Sequence, residues 1–237
     1  MLTSAQTGKN QAAHFLAHKV QEFNFRLSEL LSVTEESSRR FAAKTGDAPK
    51  AGRLVNFHFS ALSALVQTFK DLLPAMTGSR VSWNQLANVR HLEFLRDVRN
   101  AITHDGNPVI NMWVDGRFYV GADFVRQDQR GHPVLIHAPQ KDIHALVLEF
   151  AEDFCTYLRA VVIPLLGQSD FQVPLYGSEF FNAAIMHPAV PPFARKLYAE
   201  ADLSALAGGT ADPLAKVLSE LDALVELVTQ RRHAPTR

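Results

Sequence analysis

The chain has 237 residues, 47% apolar and 20% charged, which is enough for one sizeable domain whose core needs no disulfide or metal staple. Its 24 Lys and Arg balance 24 Asp and Glu; a formal net charge of zero argues against a dedicated, high-affinity nucleic-acid binder and leaves room for an enzyme that touches nucleic acid through one local patch. The lone cysteine, Cys155, cannot form an intramolecular disulfide, and neither a signal-peptide start nor a stretch of about 20 uncharged apolar residues is present, so the expected setting is cytoplasmic, with no membrane partner.

The first periodic segment has Phe15, Leu16, Val20, Phe23, Leu27, Leu30 and Leu31 at spacings of three and four, predicting a helix from about Asn10 to Lys44. "KTGDAPKAG" breaks it. Leu54, Phe57, Leu62, Leu65, Val66 and Phe69 predict a second helix from Leu54 to Leu73, ended by "LLPAMTGS". A third helix is expected to begin at Ser82 as N-cap and to carry Leu86, Val89, Leu92, Leu95, Val98 and Ile102 as its core stripe. "HDGNP" stops it, with Gly106 in the C-cap position and Pro108 just beyond. The period then changes to alternation. "VINMWVDGRFYVG" predicts a hairpin about Asp115-Gly116, and "HPVLIHA" a third strand. A fourth helix follows from about Gln140 to Leu166, with Cys155 as a small buried hydrophobe within it. "GQSDFQVPLYGS" reads as a linker to three shorter helices, Glu179 to Met186, Phe193 to Leu203 and Pro213 to Gln230, the last strongly amphipathic. The expected fold is mostly α: a four-helix core over residues 1–168 with a small β-insert at about 108–138, and a C-terminal helical extension over 169–237.

"RDVRNAITHDGN", at the end of the third helix, carries the chemistry. His exchanges protons near neutral pH, and Arg is a permanent cation whose planar fork binds phosphate. His104 and Arg99 together form a minimal kit for cleaving a phosphodiester without metal or cofactor, with Asn100 to orient the His or hold the substrate. Asn100 and His104 share one helix face, but Arg99 and His104, five apart, point about 140° away from each other. A two-fold dimer of this helix would bring two such sets into one cleft.

This stretch resembles the HEPN superfamily (higher eukaryotes and prokaryotes nucleotide-binding), whose hallmark is Arg, a polar residue, three further residues and His, late in a helix of an all-α domain. Here the motif reads Arg99-Asn100-Ala101-Ile102-Thr103-His104. The resemblance implies a HEPN-like helical domain over residues 1–168 and a homodimeric, metal-independent endoribonuclease that leaves 2′,3′-cyclic phosphate ends. Arg99, Asn100 and His104 would be catalytic, and the protein a toxin or phage-defence effector beside an antitoxin partner. The alternative is a catalytically silent HEPN-like module for dimerisation or for binding RNA or protein. The chain departs from the family in its β-insert, and in Gly106, which stands where some toxin members carry a modifiable Tyr two residues after the His.

Arg39, Arg40, Arg90 and Arg96 are the expected phosphate contacts if RNA binds, against a reading as ordinary solvated surface. Trp113, Phe118 and Tyr119 could stack bases, but a buried face of the small sheet is the expected role. His14, His18 and Glu22, spaced four apart, are read as a polar helix face rather than a metal site, and His58 as a core or interface histidine. No metal and no cofactor are expected.

Overall fold

The computed structural model of the protein describes residues 4–106, 108–128, 130–172, 178–201 and 212–233. Helix α1 (Ser4–Ala42) and helix α2 (Ala48–Thr77) form the largest contact in the molecule. Asp47 caps α2 by accepting from the Lys50 N–H at 3.1 Å, and the helix runs past the expected stop at Leu73. Pro74 removes one hydrogen-bond donor from the last turn, but Leu73 and Met76 are buried and hold that turn on the core. Gly78, at φ 70°, ends it in the left-handed cap that glycine adopts without strain.

The third helix is shorter than expected. Ser82 begins only a 3-10 turn, Trp83–Leu86, and the α-helix α3 spans Leu92–Asp105. The reason is tertiary: helix α4 (Ile143–Val162) reaches into the break. Asp153 takes the Arg90 backbone N–H at 2.9 Å, and Glu149 holds His91 Nε2 at 2.7 Å. An N–H bound to a carboxylate cannot bond back along a helix, and His91 turns the chain at φ 62°.

The insert holds two hairpins. β1 (Met112–Val114) pairs with β2 (Arg117–Tyr119) about Asp115 and Gly116, both with positive φ as the expected turn requires. The "HPVLIHA" strand is β4 (Pro133–Ile136), and it pairs with β3 (Phe124–Gln127), a strand absent from the expectation, and not with the first hairpin. Phe118 is buried, and Trp113 donates from Nε1 to Ser37 Oγ at 3.0 Å while standing edge-on to Phe41. Trp113 seats the first hairpin on α1, and Phe118 lies beside Gly52 of α2.

Of the expected tail helices, α5 (Ser178–Ile185) and α6 (Pro192–Glu200) are short and contact each other. Residues 173–177 of the expected linker and 202–211, with the end expected for the second tail helix, lie outside the described residues. Helix α7 (Pro213–His233) is built into the same core as α1 and α4, burying Leu214, Val217, Leu221, Leu224 and Val228. The four long helices that pack together are therefore α1, α2, α4 and α7, with the shorter α3 laid on α2. At the centre, Phe23, Phe69, Phe150 and Phe154 form one ring cluster, with Phe69 edge-on to Phe154 at 5.0 Å and Phe150 stacked on it at 5.2 Å. Cys155 is buried beneath α7, facing the Leu221 carbonyl, and burial pushes its thiol pKa up. No described helix is long and apolar enough to cross a membrane.

Candidate active site

Helix α3 is amphipathic. Leu92, Leu95, Val98 and Ala101 recur at threes and bury one face, and Phe94 meets Phe59 of α2 at 6.3 Å between ring centres. The outer face carries the motif. At 100° per residue, Arg96, Asn100 and His104 form one row, with Arg99 at its flank. Gly106 ends the helix at φ 65°, leaving His104 exposed in the last turn. The chain beyond is pinned, because the Asn56 side-chain amide on α2 donates to the Ile110 carbonyl at 2.8 Å and accepts from its N–H at 3.2 Å. The C-terminal end of α3 is thus held at two points, by its own apolar stripe and by Asn56.

Within the row, the side chains sort themselves by charge. Arg96 is occupied: Nε donates to Asp97 at 2.7 Å, Nη2 reaches Glu93 at 3.4 Å, and the Asp97 contact raises its pKa further. Arg99 is half-buried and donates from Nη1 to Asn100 Oδ1 at 2.8 Å. Among the described residues, no carboxylate pairs with Arg99 and nothing hydrogen-bonds to the His104 side chain. The arrangement offers an exposed imidazole, and a guanidinium held by a neutral amide with donors to spare. Such a set can hold an oxyanion and move a proton.

The other expected phosphate contacts are engaged elsewhere. Arg90 is bound by Asp153 at 2.7 Å and Glu152 at 2.6 Å and serves the α3–α4 junction. Arg39 and Arg40 both pair with Glu36, whose carboxyl they hold below its ordinary pKa, the Arg40 hydrogen bond being the largest cause. Glu22 is held by Lys19 at 2.7 Å, and burial lowers the pKa of His14. His58 is half-exposed between the exposed Phe57 and the buried Phe59. Among the described residues, no group of three His, Cys, Asp or Glu side chains gathers as a metal site. Composition gave no sign of which arginines would be neutralised, since their partners lie on other helices or one turn away.

No protein-family model matches the chain, and no curated protein or solved structure matches it either.

Proposed function

We propose that the chain is a metal-independent endoribonuclease of the HEPN type that works as a homodimer. The observation that carries this reading is the Arg99–Asn100 pair. The guanidinium is held by a neutral oxygen, at 2.8 Å, beside an unpartnered His104, and keeps its full charge for a substrate phosphate. An Arg–carboxylate clamp at this position would instead have favoured a structural role.

In the reaction, the 2′-hydroxyl oxygen of RNA attacks the adjacent phosphorus and the bond from phosphorus to the 5′ oxygen breaks. The products are a 2′,3′-cyclic phosphate and a 5′-hydroxyl. One His104 takes the 2′-hydroxyl proton, and the second copy's His104, protonated, gives a proton to the leaving 5′ oxygen. Arg99 faces the phosphate oxygens as negative charge builds on them. Asn100 aims Arg99. Two copies are needed because one helix splays Arg99 from His104. A toxin or phage-defence effector, restrained by an antitoxin-like partner, is the cellular setting this chemistry fits.

The test is RNA cleavage in excess chelator by the wild type and by His104→Ala. Cleavage by the wild type alone, leaving cyclic phosphate ends, is the expected result; no cleavage by either, or equal cleavage by both, removes the enzymatic reading. A second reading, a silent interaction module, draws on α5 and α6, where Met186, Phe193 and Leu197 stand 61 to 67% exposed. Wild type that binds RNA or protein without cutting would support it.

A further inference from the structure

A cavity of about 540 Å³ lies between the C-terminal half of α1, the β1–β2 hairpin, the first turn of α4 and the end of α7. It shares no residue with the α3 row, and its size is that of an ordinary small-molecule site. His144, in the first turn of α4, lines it, with Nδ1 2.9 Å from Thr34 Oγ1. The Thr34 hydroxyl donates its single proton to the Leu31 carbonyl at 2.8 Å. A hydroxyl whose proton is spent can only accept from the ring. The neutral imidazole therefore carries its proton on Nδ1, and Nε2 presents a bare lone pair. Nε2 has no hydrogen-bond partner among the described residues and is not sealed from solvent, and His144 is one of the residues that line the cavity.

The lining balances in charge, Arg39, Arg117 and Arg231 against Glu35, Asp115 and Asp142. Glu35 takes up Arg231, and Glu36 takes up Arg39. Arg117 is the least engaged of the three. It stands 3.5 Å from one oxygen of Asp142, whose other oxygen accepts from the Ala145 N–H at 3.0 Å, and its side chain is 51% exposed. Phe41 and Phe118 supply an aromatic wall. A phosphate dianion would find no surplus positive charge here. A neutral molecule with an N–H beside a carbonyl finds an acceptor at His144, a donor at Arg117 and a flat apolar surface for its body.

We infer that this cavity binds a net-neutral, nucleoside-sized heterocycle through its lactam edge, with the ring N–H donated to His144 Nε2 and the neighbouring carbonyl accepting from Arg117. Burial is the largest influence on His144 and holds its pKa below the ordinary value of 6.5; Glu35 and Asp142 pull it up, and Arg231 and Arg117 push it down. The neutral ring needed for binding is thus the resting form at neutral pH. The other charged groups facing it are Arg39 from α1 and Asp115 from the hairpin.

The probes are uridine, inosine and N3-methyluridine, the last lacking the N–H, added to the full chain. The readout is the His144 ring resonances in NMR, assigned with His144→Asn. Uridine and inosine are expected to bind saturably and shift those resonances, and N3-methyluridine to bind about tenfold more weakly, the loss expected when a buried acceptor keeps no donor. Arg117→Gln weakens uridine binding, and acidification through the His144 pKa abolishes it. Equal binding of uridine and N3-methyluridine, no saturable binding of uridine or inosine, or displacement of uridine by inorganic phosphate overturns the assignment. If His144→Asn fails to fold, the wild-type comparison and Arg117→Gln still decide.

Discussion

The Arg99 guanidinium turns onto the side-chain oxygen of Asn100, 2.8 Å away, and so onto the row that Asn100 shares with His104. The 140° that separates Arg99 from His104 around the helix is a statement about Cα–Cβ directions. A long side chain with a neutral anchor beside it recovers part of that gap. Asn100 thus does what neither Asp nor Ala could do there, since it holds the cation without cancelling it.

Asn100→Asp is therefore expected to be more damaging than its size suggests. A carboxylate would bind Arg99 and repel RNA, and cleavage should fall by about tenfold or more, with weaker RNA binding at low salt. Arg99→Lys is expected to cost nearly as much as Arg99→Ala, on the order of a hundredfold, because a single ammonium cannot replace the fork. Single-turnover cleavage under saturating RNA separates the chemical step from binding. Full activity in Asn100→Asp would break the proposed link between the two residues.

If the chain acts on RNA as proposed, Glu36 bears on that binding from the other direction. It pairs with both Arg39 and Arg40. Glu36→Gln should release them, raise RNA affinity roughly two- to fivefold at low ionic strength and steepen its salt dependence. Filter binding across a salt series checks this, and an unchanged slope would show that neither arginine meets phosphate.

The first hairpin depends on Gly116. At φ 80° it sits against α1, where an added Cβ would lie 2.8 Å from Ser38 Cα and from Phe41 Cβ. Neither neighbour is the end of a flexible chain. Gly116→Ala is expected to destabilise the protein by about 2–3 kcal/mol, from turn strain and overpacking together. Chemical denaturation measures it. Gly131→Ala serves as a comparison, because its φ is also positive, at 79°, but an added Cβ meets nothing within 4 Å, so only the strain remains.

Helix α7 supplies a wall of the core, fixed at its C-terminal end by Arg231 to Glu35 and by Arg232 to Glu152 at 2.8 Å. Leu221→Ala should cost about 2–4 kcal/mol, the usual range for a fully buried leucine. Truncation before Pro213 exposes the faces of α1 and α4 that bury the whole apolar stripe of α7. The truncated chain is expected to lose its near-UV circular dichroism and to bind a hydrophobic dye. Retention of the native spectrum would mean that α7 is an appendage.

Arg90 and Asp153 set part of the acid limb of stability. Hydrogen bonds from the Arg90 side chain hold the Asp153 carboxyl below its ordinary pKa of 3.8, against the opposing effect of burial. A depressed acid pKa contributes stability that is full above the unfolded value and is lost as pH falls through the folded one. Asp153→Asn should lower stability at neutral pH and flatten the loss below the ordinary carboxylate range. Parallel acid limbs for the two proteins would assign that loss to other carboxylates.

The sequence by itself determined the helices and their ends where local chemistry decides them. The three- and four-residue apolar spacing placed α1, α2, α4 and α7, Gly106 ended α3, and Asp115-Gly116 closed the first hairpin, because helix period and φ > 0 are properties of a few adjacent residues. The polar row at Arg99, Asn100 and His104 was legible for the same reason. Tertiary structure decided the rest. The break at Arg90 and His91 comes from Asp153 and Glu149, some sixty residues away in the chain, which take a backbone N–H and a ring nitrogen from a segment whose own pattern is helical. β3 alternates too weakly to announce itself, its residues being half-exposed to exposed, and only its pairing with β4 defines it. The amphipathic stripe of α7 showed that the helix had a partner but not which one. The clamped state of Arg90 follows from the carboxylates of α4 that the fold brings within about 4 Å, a distance at which chain separation no longer matters, whereas Arg96 and Arg99 take their partners from neighbours on their own helix.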